Sequence, residues 1–274
     1  MASIKLFTGA FGHVSVLSAA SDLVTHAHPE AHIIIWLEGD PGSMIIEGEE
    51  VPFGPDHVIC VNSLQPHSHH FSEGEPGSFL AFYIEPEWTA LRLGRRPGEA
   101  LFRRPAVPLD DELRATATML FNHLIRAFDS GDLAAYEIER MIDRLIEAIS
   151  AAQSPMPARA GTARHLDYRI RKALALMEAN VSGRFGLDKV ARSVGLSRPH
   201  FFTLFKEQMK LTPNVYWNTL RMEEALRQIK GSEEPLTSVA CSLGFTTQAN
   251  FTRFFRDHAG VPPTLYREAA RASA

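Results

Sequence analysis

Eight of the twelve histidines fall within the first 70 residues: His13, His26, His28, His32, His57, His67, His69 and His70. At neutral pH imidazole offers either an unprotonated nitrogen to a transition metal or a hydrogen bond of either sense to an organic molecule. His26, His28 and His32 are separated by even numbers, as are His67 and His69, so on extended strands each set projects to one side. If neighbouring strands bring those sides together, the imidazoles converge. A set made of histidines alone suits Zn, Ni, Cu or Fe, which makes His26, His28, His32 and His67 candidate ligands of a divalent transition metal. The competing use of the same residues, with His69 and Trp36, is to line a pocket for a small organic effector. Trp36 and Phe82 also serve as plain core, and Glu30 and Glu38 read as solvated carboxylates.

A second chemically suggestive set lies near the C-terminus. Gln248, Asn250, Thr252, Arg253 and Arg256 share a helical stretch whose other side carries Phe251, Phe254 and Phe255. Such polar side chains suit base edges and phosphates in a DNA major groove.

The elements that position this second set are legible locally. Leu236 to Leu243 forms a short helical pattern that stops at Gly244, which supplies the positive φ of a C-cap. Thr246 or Thr247 can cap the next helix, and Gly260 followed by Pro262 and Pro263 ends it. An earlier stretch, Leu187 to Lys206, has the same plan. Aligning Val190-Ala191 with Val239-Ala240 sets Gly195 on Gly244 and Phe205 on Phe254. The chain therefore holds two helix-turn-helix units. Pro213 to Ile229 joins them as a helix of about 17 residues, roughly 25 Å. With a reading helix at each end it can hold the pair about one DNA turn apart, on the order of 34 Å.

Pro213, Tyr216, Leu220-Arg221-Met222, Ala225, Ala240, Gly244-Phe245, Asn250-Phe251, Arg253, Phe254-Phe255, Gly260, Pro262-Pro263 and Tyr266-Arg267 resemble the pattern of the AraC/XylS transcription regulators, over about 100 residues. The resemblance implies a bipartite reader of double-stranded DNA. It places base-facing side chains at Arg198, Pro199, Phe202 and Thr203 on the first reading helix, and at Gln248, Ala249, Thr252 and Arg253 on the second, with Asn250 beside them. His200 and Lys206 fit phosphates better than bases. Where the family often has Arg or Gln, this chain has Phe202 and Thr203, which reach a thymine methyl but make no bidentate guanine contact. Phe201 and Phe205 are expected inside. In the N-terminal half, HAHPEAHIIIWLEGD and LQPHSHH resemble the two motifs of the cupin barrel, in which His-x-His, a later carboxylate and a distant His bind a metal. Here His32 stands at the carboxylate position and His67 is the distant His.

Composition agrees with two unlike halves. Residues 163–274 hold 17 Lys and Arg against 10 Asp and Glu, leaving 11 against 22 for residues 1–162. A basic half invites a polyanion and an acidic half stays off it. Cys60 and Cys241 have no partner at metal-ligand spacing and read as buried thiols. The N-terminus lacks the pattern of a signal peptide and no apolar run spans a bilayer, so a cytoplasmic protein with no membrane partner is expected.

Short β-rich runs at Ile4–Phe7, His13–Leu17, His32–Leu37, Ser43–Ile46, Val58–Val61 and Phe79–Ile84 predict a small antiparallel barrel. Stripes through Leu113, Thr116, Leu120, Leu124 and Phe128, then Ile138, Met141, Ile142, Leu145, Ile146 and Ile149, predict two antiparallel helices. They either cover the barrel or pair with a second copy. The expected fold class is α+β and multidomain: a cupin-like β-barrel over 1–107, a helical pair over 108–151, a linker over 152–163 and an all-α DNA-binding domain over 164–274. The expected function is a ligand-responsive transcription regulator and homodimer, not an enzyme. The alternative is a metal-dependent cupin enzyme fused to a DNA-binding domain. No Gly-rich phosphate loop, nucleophile elbow or activated Cys-His pair supports catalysis.

Overall fold

The computed structural model describes residues 3–19, 21–71, 76–94, 99–126, 132–152, 166–182 and 186–272. The N-terminal strands are β1 (Ser3–Gly9), β2 (Gly12–Ala19), β3 (Leu23–His26), β4 (Ala31–Glu38), β5 (Ser43–Ile46), β6 (Glu49–Pro52), β7 (His57–Val61), β8 (His67–His70), β9 (Gly77–Ile84) and β10 (Ala106–Pro108). They form two antiparallel sheets, ordered β1-β2-β9-β4-β7-β10 and β3-β8-β5-β6. Among the described residues no ladder joins the two sheets, so they are not closed into a single barrel. The six predicted strands are present. The four additional ones, β3, β6, β8 and β10, read LVTH, EEVP, HSHH and AVP. They are too short and polar to show an alternating apolar pattern.

The six-stranded sheet is buried on both faces, and the period of two sorts its side chains. Ile33, Ile35, Leu80, Phe82 and Ile84 face one core, while Ile34, Ile59, Val61 and Phe79 face the four-stranded sheet through Met44 and Ile46. Helix α1 (Pro86–Leu93) precedes β10, followed by α2 (Asp111–Arg126) and α3 (Asp132–Ala152). Leu113, Ala117, Leu120 and Leu124 of α2, with Ile142, Leu145, Ile146 and Ile149 of α3, join the first core. The apolar stripe of α3 thus packs on the sheet. Phe128 and residues 153–163 of the expected linker lie outside the described residues. No helix among the described residues is long and apolar enough to cross a membrane.

The C-terminal half contains seven helices among the described residues, including the five of the two helix-turn-helix units and their connection: α4 (Tyr168–Glu178), α5 (Leu187–Ser193), α6 (Arg198–Met209), α7 (Pro213–Gly231), α8 (Leu236–Ser242), α9 (Gln248–Ala259) and α10 (Pro263–Ala272). Gly195 and Gly244 adopt φ of 72° and 80° in the two tight turns, the left-handed conformation that favours glycine. The duplication is clearer in three dimensions than in sequence. Phe201 and Phe205 of α6 are fully buried, as are Phe251 and Phe255 of α9. Helices α6 and α9 start 50 positions apart, and so do α7 and α10, each of which opens on proline. The turn glycines are 49 apart. Aligning Phe205 with Phe254 is therefore corrected by one residue, because the second turn is one residue longer: Phe205 matches Phe255. Cys60 is buried as expected, whereas Cys241 is exposed on α8.

The two halves share cores. Leu6 of β1 and Leu17 of β2 pack with Phe251, Phe255 and Tyr266, and Ala27 packs with Phe205 and Trp217. Thr219 of α7 donates its hydroxyl to the carbonyl oxygen of Ala27 at 2.7 Å, with both groups buried. Replacing Thr219 by Val keeps the shape and strands that carbonyl, so Thr219→Val is expected to lower stability by about 1 kcal/mol in urea denaturation. An unchanged midpoint would mean that this contact contributes nothing to docking.

Candidate functional site

Two regions hold the residues singled out from the sequence. On α9, Thr247 accepts the backbone N–H of Asn250 at 3.1 Å and caps the helix, as read from sequence. Gln248, Ala249 and Arg253 are exposed, and Asn250 and Thr252 are half-buried. Asn250 is already engaged: its amide donates to the Thr246 hydroxyl at 3.1 Å and its carbonyl oxygen accepts from Arg253 at 3.3 Å. On α6, Pro199, His200, Thr203 and Lys206 are exposed and Phe202 is half-buried beside Phe201. Arg198 lies 5.1 Å above the Phe202 ring and donates to Asp188 at 2.6 Å. That ion pair, invisible in sequence, holds the only Arg among the base-facing candidates of α6 against its own domain. Arg253 has no such carboxylate partner among the described contacts.

The histidines converge, though not from one strand. His26 ends β3, His28 sits in the following connection and His67 opens β8. One ligand-capable atom from each lies within 4.8 Å of the other two. His32 belongs to β4 of the other sheet and stacks on Tyr83 at 4.2 Å; its ring lies 5.2 Å from that of His28 and 5.9 Å from that of His67, beside the trio rather than within it. Because β3 ends at His26, the evenly spaced histidines reach this place from both sheets. His69 lies on β8 near Phe53 and Phe71, where burial lowers its pKa to about 3. Trp36 packs with the Ile34, Met44 and Ile59 core and does not line the pocket described below, a correction to its candidacy as a ligand contact. Burial first, then neighbouring imidazoles, hold His26 and His67 well below the usual histidine range, so both are neutral.

Beside the trio, a cavity of about 240 Å³ opens between the two halves. Its walls include His13, His28, Glu30 and Tyr83 from one half and Glu223, Lys230 and Tyr266 from the other. Glu30, expected in solvent, is instead largely buried and lies 3.4 Å from His28. Burial alone would raise its pKa, but the hydrogen bond and charge of His28 reverse this and hold it at about 2. His13 is lowered to about 3 by burial and by the nearby Lys230 ammonium, and it stacks on Tyr83 at 4.4 Å. Glu223 is pushed up to about 7 by burial and by the Glu30 charge. The α7 and α10 members of this wall escaped sequence reasoning because nothing local links them to β1–β4.

Comparison with known proteins bears on both halves. Residues 190–269 match the family described as helix-turn-helix domain, and residues 21–163, more than half of the chain, match the AraC-like ligand binding domain. The chain belongs to the AraC/XylS family. Among its relatives are the HTH-type transcriptional regulator ArgR of Pseudomonas aeruginosa, 25% identical over 59% of this chain and 50% of that protein, and YobQ of Bacillus subtilis, 31% identical over 40% and 50%. The multiple antibiotic resistance protein MarA of Salmonella typhimurium is 32% identical over 36% of this chain and 77% of its own. The chain spans about half the length of the first two relatives. ToxT from Vibrio cholerae shares the fold across both halves of this family member, with a TM-score of 0.51 at 12% identity, covering 93% of this chain and 97% of ToxT.

Proposed function

We propose that this AraC/XylS-family chain is a sequence-specific DNA-binding transcription regulator, not an enzyme, whose N-terminal half senses a small molecule. The observation that carries the reading is the duplicated pair of reading helices, α6 and α9, each packed by two buried phenylalanines with its polar residues left outward. We assign residues 1–107 to a cupin-like sensor, 108–151 to the helical pair and 164–274 to the DNA reader. The cavity between the halves is the effector site. It presents apolar walls from Leu6, Leu17 and Leu226 together with charges of both signs, which suits an amphipathic organic molecule with a polar end.

The halves touch through α7, α9 and α10 against β1 and β3, so an effector acts directly at that seam. An effector that prefers one arrangement of the seam shifts its population. We assign homodimerisation to the helical pair, where Met119 and Ile125 of α2 leave apolar surface exposed. Selection from a random DNA library tests the main reading. The expected result is an enriched site with two elements about one helical turn apart. Recovery of no preferred sequence would overturn it.

Glu223 gives the seam a pH dependence. Its native pKa of about 7 lies above the usual carboxylate value of 4.5, under the influence of burial and of Glu30, Glu178 and Glu85, with His28 opposing. The native state thus holds its proton while the unfolded state releases it, and stability declines as pH rises from about 4.5 to 7. Glu223→Gln removes the penalty. Relative to the parent, this variant should gain on the order of 1 kcal/mol between pH 5 and pH 8 after allowance for solvent screening. Thermal melts at both pH values measure it.

A further inference from the structure

We propose that His258 of α9 joins His26, His28 and His67 as the fourth ligand of a divalent transition-metal site that ties the second reading helix to the sensor. This deepens the regulator reading above and rests on it, since the tie matters only if α9 reads DNA.

The argument starts from tautomers. Nδ1 of His26 lies 2.7 Å from the Val24 carbonyl oxygen, that of His28 2.9 Å from Glu30 O, that of His67 2.8 Å from Gln65 O and that of His258 2.7 Å from Phe254 O. A carbonyl oxygen only accepts, so each Nδ1 must carry the hydrogen and donate it. Each Nε2 is then a bare lone pair. The Nε2 atoms of His28, His67 and His258 are buried and have no hydrogen-bond partner. Acceptors gathered in one dry place repel one another; His32, 5.2 Å from His28 and 5.9 Å from His67 with both ring nitrogens unpaired, offers a single N–H, too few for these lone pairs, and a cation resolves the conflict.

The spacing agrees. Ring centroids lie 6.1 Å apart for His26 and His28, 4.2 Å for His26 and His67, 5.0 Å for His28 and His67, and 6.2 Å for His26 and His258. Two imidazoles bound through nitrogen to one tetrahedral Zn²⁺ at about 2.0 Å place their centroids roughly 5 Å apart. One ring nitrogen from each of the trio already lies within 4.8 Å of the other two, so small ring rotations bring the rings into ligand range. The Nδ1 donations to backbone, and the Glu30 carboxylate 3.4 Å from His28, are the outer contacts that fix imidazole orientation in metal sites. His258 sits one and a half turns beyond Arg253 on the same helix, so a metal held there fixes α9 against β3 and β8. Neutral imidazoles without thiolates favour Zn²⁺, Co²⁺ or Ni²⁺.

The test uses the full chain, prepared metal-free. Zn²⁺ titration against a chromophoric chelator should give one ion per chain, and Co²⁺ should give the visible ligand-field band of a tetrahedral nitrogen site. His67→Ala should abolish binding, and His258→Ala should weaken it about 10–100-fold while altering the Co²⁺ band. Equal affinity in His258→Ala and the parent overturns the bridging site, and a parent chain that takes no Zn²⁺ overturns it altogether. Should His258→Ala fail to fold, X-ray absorption of Zn²⁺-loaded His32→Ala decides by counting imidazoles: four support the tie and three exclude His258. Affinity for a selected DNA site should respond to Zn²⁺ by about 5-fold or more in the parent but not in His258→Ala. Stoichiometric Zn²⁺ with no such response overturns the coupling. Failure to select any DNA site would sink the regulator reading and leave the ion count standing, so the two failures are separable.

Discussion

Phe255→Ala is expected to destabilise the chain by about 3–5 kcal/mol, the range for truncating a fully buried phenylalanine whose surroundings cannot collapse. Phe255 has no exposed surface and stands between Phe251, at a centroid distance of 6.0 Å, and Tyr266 of α10, at 5.6 Å. It joins α9 to α10 at the point where Leu6 and Leu17 of the sheet also pack. Removing the ring leaves a void that none of these can fill, because each is fixed by a different element. Phe254 provides the control. It is only half-buried, against Phe245 and His258, and Phe254→Ala should cost clearly less. Urea denaturation of the two variants measures the difference. Equal midpoints would show that α9 does not bury the face assigned to it, and with that the outward direction of Gln248, Thr252 and Arg253 would fail too.

That orientation was legible in the sequence because it is locally encoded. Turn glycines, a capping threonine and phenylalanines three or four residues apart specify a helix, its start and its inner face without reference to the rest of the chain. The one-residue difference between the turns was not legible: Gly195 and Gly244 align by eye, and only the burial of Phe201, Phe205, Phe251 and Phe255 reveals the true offset. The histidine cluster lay between these cases. Its convergence followed from composition and even spacing, but its membership depended on β3 ending at His26, and LVTH carries no pattern that announces a strand end. The seam between the halves was invisible. Thr219 and Ala27, or His258 and His26, are brought together by docking of whole elements, and no local period encodes such a pairing.

Arg253→Ala is expected to weaken binding to the selected DNA site by about 1–3 kcal/mol, or roughly 5- to 150-fold, with the loss confined to one base position. The reasoning is comparative. On α6 the base-facing candidates are Arg198, Pro199, Phe202 and Thr203, and Arg198 is held by Asp188 and by the Phe202 ring. Drawing it out to a guanine requires breaking a 2.6 Å ion pair, so its net gain on DNA is reduced. Arg253 is exposed on α9 and gives up only a 3.3 Å hydrogen bond to Asn250, a neighbour on its own helix that can still orient the guanidinium on approach. Lys206→Ala supplies the contrast. A phosphate contact should weaken all sequences alike and lower the salt dependence of binding by about one ion, whereas Arg253→Ala should relax sequence preference. Competition with single-base variants of the site separates the two. A uniform loss across sequences for Arg253→Ala would move that residue from the base edges to the backbone and return base reading to Gln248 and Thr252.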